Sequence, residues 1–261
     1  MRNQAAPGVS AAVTAVVLVA SGCTGASGTS TASVPRVAAP AAADAPADPR
    51  VGAVFPGGGS MHSCTGSVVD SPDGDLVLTA AHCLAGGVPA TFVPDMSADT
   101  IPSAADIWQV EAVYLDPRWL ATQDPQADYA FARVARSSGG SIRDAAGGSL
   151  AIGATPKAGT TVTVTGYPAG EGGGPITCRG VTVLVDGYPS LRCGGLVDGT
   201  SGAPWMAGNT VIAVTGGRDG GGCDGDVSYS SPFDGHVTAL LARAEAAGPG
   251  DDPPDAYASD C

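Results

Sequence analysis

Lysine is almost missing from this chain. Among 261 residues there is one, Lys157, and Lys and Arg together number 12 against 25 Asp and Glu. The formal charge of −13 argues against a nucleic-acid partner, which needs basic patches, and suits a soluble extracellular protein. A long apolar run is also missing. The longest, Val9 to Ala20, is too short to favour a spanning helix. The Cys spacings make no zinc pattern, and no Gly-rich phosphate loop opens a helix, so the reading assigns no metal and no cofactor. Histidine is scarce: there are only His62, His82 and His236.

Glycine and proline are abundant, at 39 and 21 residues. That composition suits short strands and many turns better than long helices. The cysteines number seven, and an odd count in an exported chain calls for an explanation. Arg2, the apolar run and Ser21-Gly22-Cys23 read as an export signal over residues 1–23. Small residues directly before a Cys resemble the bacterial lipoprotein signal, although Ala20 stands where that motif usually has Leu. Lipidation of Cys23 would leave six cysteines for three bridges in an oxidising compartment. Residues 24–50, rich in Thr, Ser, Ala, Pro and Gly, read as a disordered stalk.

From Val51 the pattern changes. Val51–Phe55, Cys64–Val69, Leu76–Thr79, Ile107–Leu115, Asp128–Val134, Thr161–Tyr167, Thr182–Val185 and Val211–Val214 are short β-prone runs separated by Gly, Pro and Asp. Such spacing indicates an all-β barrel or sandwich. Residues 234–247 carry Val237, Leu240, Leu241 and Ala244 at helical spacing, with Asp234 as N-cap and Gly248 as stop. A Pro/Asp-rich tail, 249–261, ends in Cys261.

Two stretches carry chemistry. In Val197-Asp198-Gly199-Thr200-Ser201-Gly202-Ala203-Pro204-Trp205 a Ser sits in a glycine turn. Gly199 can take a backbone conformation closed to other residues, so that the N–H groups of Gly199 and Ser201 converge as an oxyanion hole. In Leu76-Val77-Leu78-Thr79-Ala80-Ala81-His82-Cys83 an apolar strand runs into a histidine. The pair resembles the trypsin/chymotrypsin family of serine peptidases, in its secreted bacterial branch near the glutamyl endopeptidases, over about Val51 to Ala246.

The resemblance implies two six-stranded antiparallel β-barrels with the active site between them and a C-terminal helix. The barrels would span 51–150 and 151–248, divided at the Gly-rich stretch 138–148. It implies a serine endopeptidase, expected as a monomer acting on protein or peptide, with Ser201 as nucleophile, His82 as base and Asp128 as its orienting carboxylate. Asp128 opens Asp-Tyr-Ala-Phe, 46 residues after His82 and 73 before Ser201, whereas Asp116 and Asp124 lie in a looser Pro-containing loop. His62 reads as exposed and His236 as surface or packing. The resemblance pairs Cys64 with Cys83. A hairpin bridge fits Cys178 and Cys193, leaving Cys223 with Cys261.

The likeness has limits. The residue before the nucleophile is Thr200, where trypsins have an Asp that pairs with a freed N-terminus, yet Arg50-Val51 still looks like a processing point between stalk and domain. Gly195 stands where trypsins carry the Asp at the pocket floor, and Ala213-Val214-Thr215-Gly216-Gly217 has no histidine of the glutamyl type. Gly195, Thr215, Gly216 and Gly217 are the expected substrate-binding residues, the two glycines by pairing with substrate backbone. One rival is an α/β hydrolase with Ser201, then Asp219, Asp224 or Asp234, then His236, but Pro204 and a strand follow Ser201 where that fold needs a helix. The other is an inactive peptidase fold serving as a lipid-anchored binding module. The expected location is outside the cell, secreted or tethered through Cys23.

Overall fold

The computed structural model describes residues 39–254 and 257, except 88, 100 and 224. The export signal, Cys23, Asp224 and Cys261 lie outside the described residues.

The first half closes into a barrel. Its strands are β2 (Val51–Pro56), β3 (Cys64–Val68), β4 (Leu76–Thr79), β5 (Ala90–Pro94), β6 (Trp108–Leu115) and β7 (Ala130–Ala135), hydrogen-bonded in the order β2-β3-β4-β7-β6-β5 and back to β2. Alternation explains why the central runs are apolar throughout. Successive side chains of a strand point to opposite faces. In β4, Val77 enters the barrel core with Phe92, Trp108 and Trp119, while Leu76 and Leu78 join a second cluster with Met206, Val211 and Phe233. β7 does the same: Ala132 and Val134 point inward and Phe131 outward. Both faces of these strands are buried, so their few polar residues are paired: the Thr79 hydroxyl donates to Thr65 O at 2.7 Å, and Arg133 pairs with Asp75 at 2.6 Å.

The second half is a sheet of β8 (Ala151–Ile152), β9 (Thr161–Gly166), β10 (Ile176–Val185), β11 (Tyr188–Arg192), β12 (Pro204–Ala207), β13 (Thr210–Val214) and β14 (Val227–Tyr229), in the order β14-β11-β10-β9-β12-β13-β8. The β13–β8 pair is parallel. Val162, Val164, Trp205, Ile212 and Ala213 fill its core. Helix α3 (Gly235–Glu245) follows and packs on β6 and β7 of the first half, with the Asp234 carboxylate accepting the His236 N–H at 2.8 Å. Val237, Leu240 and Ala244 are its buried face. The left-handed residue after the helix is Ala247, at φ 54°, rather than Gly248.

The end of the expected stalk is folded. Strand β1 (Ala43–Asp44) pairs with Thr177 and Ile176 of β10. Ala42 N–H donates to Gly194 O at 2.7 Å, and Gly194 N–H to Pro40 O at 2.9 Å. Composition gave no hint of this, because an added strand is held by backbone groups that every residue carries. The expected processing point is closed as well. Val51 is fully buried as the first residue of β2, and Val68 N–H donates to Arg50 O at 2.8 Å.

Candidate active site

His82 follows β4 and sits in a 3₁₀ turn, Ala81–Gly87. The next residue fixes that turn, since Cys83 is bridged to Cys64 in β3 with Cα atoms 6.0 Å apart. Asp128 leaves a 3₁₀ turn, Pro125–Ala127, capped by the Asp124 carboxylate, and enters β7. The barrel pairs β4 with β7 through Thr79 and Ala130, so both residues reach the same barrel end.

There they meet. Asp128 is fully buried, and its carboxylate accepts three N–H bonds. His82 Nδ1 lies 2.7 Å from Oδ2, His82 N donates to Oδ1 at 2.9 Å, and Gly217 N donates to Oδ2 at 2.7 Å. Burial pushes the Asp128 carboxyl upward, but the His82 charge and these bonds outweigh it and hold the group below its ordinary range. Burial likewise pushes the His82 imidazole down. The charge and hydrogen bond of Asp128 prevail and leave it above the ordinary value of 6.5. Asp116 and Asp124 do other work. Asp116 caps α1 (Pro117–Thr122) and binds Arg118 and the Tyr129 hydroxyl, and Asp124 caps the turn before Asp128.

Ser201 comes from the other half, in the turn ahead of β12. Thr65 of β3 pins that turn: its N–H donates to Ser201 O at 2.7 Å and its hydroxyl to Gly199 O at 2.9 Å. Both flanking glycines are required. Gly199 has φ 95°, and a Cβ there would stand 2.1 Å from Ala169 N. Gly202 has φ 79°, and a Cβ there would stand 2.2 Å from Thr65 O. Among the described residues, neither the Gly199 nor the Ser201 N–H donates to a protein acceptor. Two unused donors therefore flank a partly exposed hydroxyl. Pro204 begins β12, so no helix follows the serine.

Ser201 lines a cavity of about 490 Å³ with Leu196, Val197, Thr200, Thr215, Gly221 and Ser228. Thr215 is nearly buried, and its hydroxyl accepts the Trp205 indole N–H at 3.1 Å. Among the described residues, Asp198 is the one ionisable side chain of the lining. The three glycines expected to bind substrate are placed as follows. Gly195 is exposed and outside the lining, its N–H held by Gly225 O, so the wall is Leu196 instead. Gly216 gives its N–H to Tyr229 O at 3.0 Å. Gly217 gives its N–H to Asp128, and its carbonyl accepts Gly220 N–H at 3.0 Å. Neither glycine presents a free N–H for an added strand, and Gly217 instead steadies the carboxylate.

His62 is fully buried rather than exposed. Its backbone exchanges two 3.0 Å bonds with Gly170, its Nε2 lies 3.0 Å from Gly172 O, and its ring packs edge-on against Phe55 and Tyr167. Its Nδ1 has no partner among the described residues. His236 stays at the surface, with Nδ1 3.9 Å from Asp116. A second bridge joins Cys178 to Cys193. Cys223 is disulfide-bonded too, and Cys261, its expected partner, is not described. Cys64, His82 and Cys83 form the one group among the described residues close enough to share a metal, but their sulfurs are joined to each other and offer no thiolate.

Sequence reading missed Ser231 and Thr65. The Ser231 hydroxyl accepts Asp128 N–H at 3.0 Å and donates to Pro125 O at 2.8 Å. It also missed Tyr257, whose ring lies beside His82. The tail around Tyr257 has no periodicity that would have marked it.

Residues 64–214 match the family described as Trypsin-like peptidase domain. No curated protein matches the chain. Among solved structures, the protease Anisep from Arthrobacter nicotinovorans superposes with a TM-score of 0.68 at 23% identity, covering 78% of this chain and 98% of that one. A Glu endopeptidase superposes at 0.64 and 17% identity, covering 79% and 97%. Human heparin binding protein superposes at 0.59 and 18% identity, covering 81% and 99%.

Proposed function

This chain belongs to the family of trypsin-like peptidase domains, and from that premise we propose that it is a serine endopeptidase with Ser201 as nucleophile. The observation that carries the reading is the 2.7 Å bond from His82 Nδ1 to a fully buried Asp128. It holds the imidazole in the tautomer that leaves Nε2 free to accept a proton. Ser201 Oγ attacks the scissile carbonyl carbon as its proton passes to His82 Nε2. The carbonyl oxygen takes the negative charge and is held by the N–H groups of Gly199 and Ser201. His82 then protonates the leaving amine, the peptide C–N bond breaks, and an acyl-enzyme forms on Ser201. Water, deprotonated by His82, releases the acid and restores the serine.

Among the described residues, the cavity beside Ser201 has no cation and no buried acid in its lining. We therefore assign a neutral side chain to the residue whose carbonyl is attacked, neither basic nor glutamyl. The disulfides accord with an oxidising, extracellular setting, and the odd cysteine, Cys23, is proposed as the lipidated one. The fold also serves a heparin-binding protein, but 25 acidic against 12 basic residues oppose a polyanion here. Single replacements Ser201→Ala and His82→Ala should each remove nearly all turnover, and the double variant should lose no more, because the residues act as a unit. A fluorophosphonate should label wild type at Ser201. Proteolysis that survives Ser201→Ala refutes the assignment, and a wild type that neither hydrolyses protein nor takes the fluorophosphonate leaves the binding-module reading.

A further inference from the structure

The chain beyond α3 is fastened to the barrel. The Tyr114 hydroxyl donates to Gly248 O at 2.9 Å, and Asp251 N–H donates to Val113 O at 2.7 Å. The Asp251 carboxylate accepts Leu115 N–H at 2.7 Å and two bonds from the Arg243 guanidinium. A Cβ at Gly250 would come within 3.1 Å of Ala112 and of the Val113 backbone, so the strand and the tail are in close contact. Farther along, the Tyr257 ring reaches the site. Its centroid is 5.3 Å from that of Trp119, which is fully buried, and 5.6 Å from that of His82, with an interplanar angle of 31° to the imidazole. The His82 side chain is left 14% exposed.

We infer that Tyr257 is a positioning residue for the same reaction, its ring covering the imidazole of His82 and holding it against Asp128. The inference rests on the reading of His82 as the base. The bond to Asp128 fixes His82 at one ring edge only, through Nδ1. A ring held at one edge can still swing, and a flat aromatic neighbour backed by Trp119 restricts that motion while excluding water. When the imidazole takes the serine proton, an aromatic neighbour also favours the cation. Among the described residues, Asp128 is the one charged group bonded to the ring, and the Cys64–Cys83 bridge beside it does not titrate.

The test uses the full chain with Tyr257→Phe, Tyr257→Leu and Tyr257→Ala. Steady-state hydrolysis of a protein substrate is compared with the rate at which a small fluorophosphonate labels Ser201, and thermal melting checks the fold. The probe carries no peptide, so its rate reads the serine–histidine unit alone. Ala and Leu should lower kcat and the labelling rate by the same factor, roughly two- to tenfold, the range of a single aromatic contact. KM should be unchanged, and Phe should keep the wild-type rates. Labelling unchanged while KM rises would mean that the ring walls the substrate instead. A rise in both rates would mean that the tail obstructs the site, and full activity in the Leu variant would reduce the ring to a space-filler. Each of these overturns the inference. A wild type that neither hydrolyses nor labels at Ser201 would sink the peptidase reading as well, whereas an active wild type matched by Tyr257→Ala would sink this inference alone.

Discussion

Asp128→Asn changes one atom of a fully buried side chain that accepts three N–H bonds, two on Oδ2 and one on Oδ1. An amide offers one oxygen and one NH₂. With the oxygen at the Oδ2 position, the NH₂ faces the His82 backbone N–H. With the NH₂ there, it donates to His82 Nδ1, forces the proton onto Nε2 and orphans the Gly217 N–H. Either way a buried donor loses its acceptor, at about 1–3 kcal/mol of stability. The second orientation also leaves His82 unable to take the serine proton, and a wrong tautomer costs about 10⁴-fold in kcat, or about 5.5 kcal/mol at 1.36 kcal/mol per tenfold. The pH response has a definite sign. In wild type Asp128 raises the His82 pKa above 6.5, so kcat/KM should climb with pH through a midpoint above that value. In the variant the residual activity should climb at lower pH. Stability behaves differently. Asp128 is held below its ordinary value of 3.8, so its ionic stabilisation is complete above that pH and fades as pH falls through the folded value. The stability gap between wild type and variant should therefore narrow in strong acid. Initial-rate hydrolysis of a quenched fluorescent protein substrate between pH 5 and 10 (about that range suffices for a His base) and denaturant melts give all of these. A variant within tenfold of wild type, with an unmoved midpoint, would refute the reasoning.

Gly199→Ala should lower kcat by at least about 10²-fold, because its Cβ would collide with Ala169 N and displace a proposed oxyanion donor; hydrolysis rates and circular dichroism together check this. Full-length chain and a Cys23→Ser variant, expressed in bacteria and fractionated, should partition differently, wild type with membranes and variant in the medium; identical distribution removes the lipid tether.

The motif-bearing part of the site was legible because its residues stand in short, specific contexts. Leu-Thr-Ala-Ala-His-Cys and Gly-Thr-Ser-Gly-Ala-Pro come together across the two halves, where a Cβ on Gly202 would stand 2.3 Å from Thr79 Oγ1 and 2.9 Å from Ala80 N. The apolar runs of β4 and β7 were legible for a similar reason, since burial on both faces leaves a local signature. What stayed hidden depends on partners far along the chain. His62 looks exposed among glycines, but its neighbours Gly170, Gly172 and Tyr167 lie more than 100 residues away. Gly217 looks like a free strand edge until Asp128, 89 residues earlier, claims its N–H. Residues 40–44 have a linker's composition, and only the open edge of β10 turns them into a strand. Such contacts use backbone groups that every residue carries, so residue type does not announce them.

The burial of Val51 bears on how the protein is switched on. Trypsin-like activation by cutting needs a new ammonium group and an acid to receive it. A cut between Arg50 and Val51 would create that ammonium on a fully buried residue at the start of β2, and the residue before Ser201 is Thr200 where the resemblance expects Asp. An unpaired buried charge costs several kcal/mol, so the cut would damage the barrel rather than arm it. Meanwhile His82 and Asp128 are already bonded with the Arg50–Val51 peptide intact. Joining His82 to Asp128 therefore does not require a cut at Arg50–Val51, and that cut would cost the barrel its first strand residue.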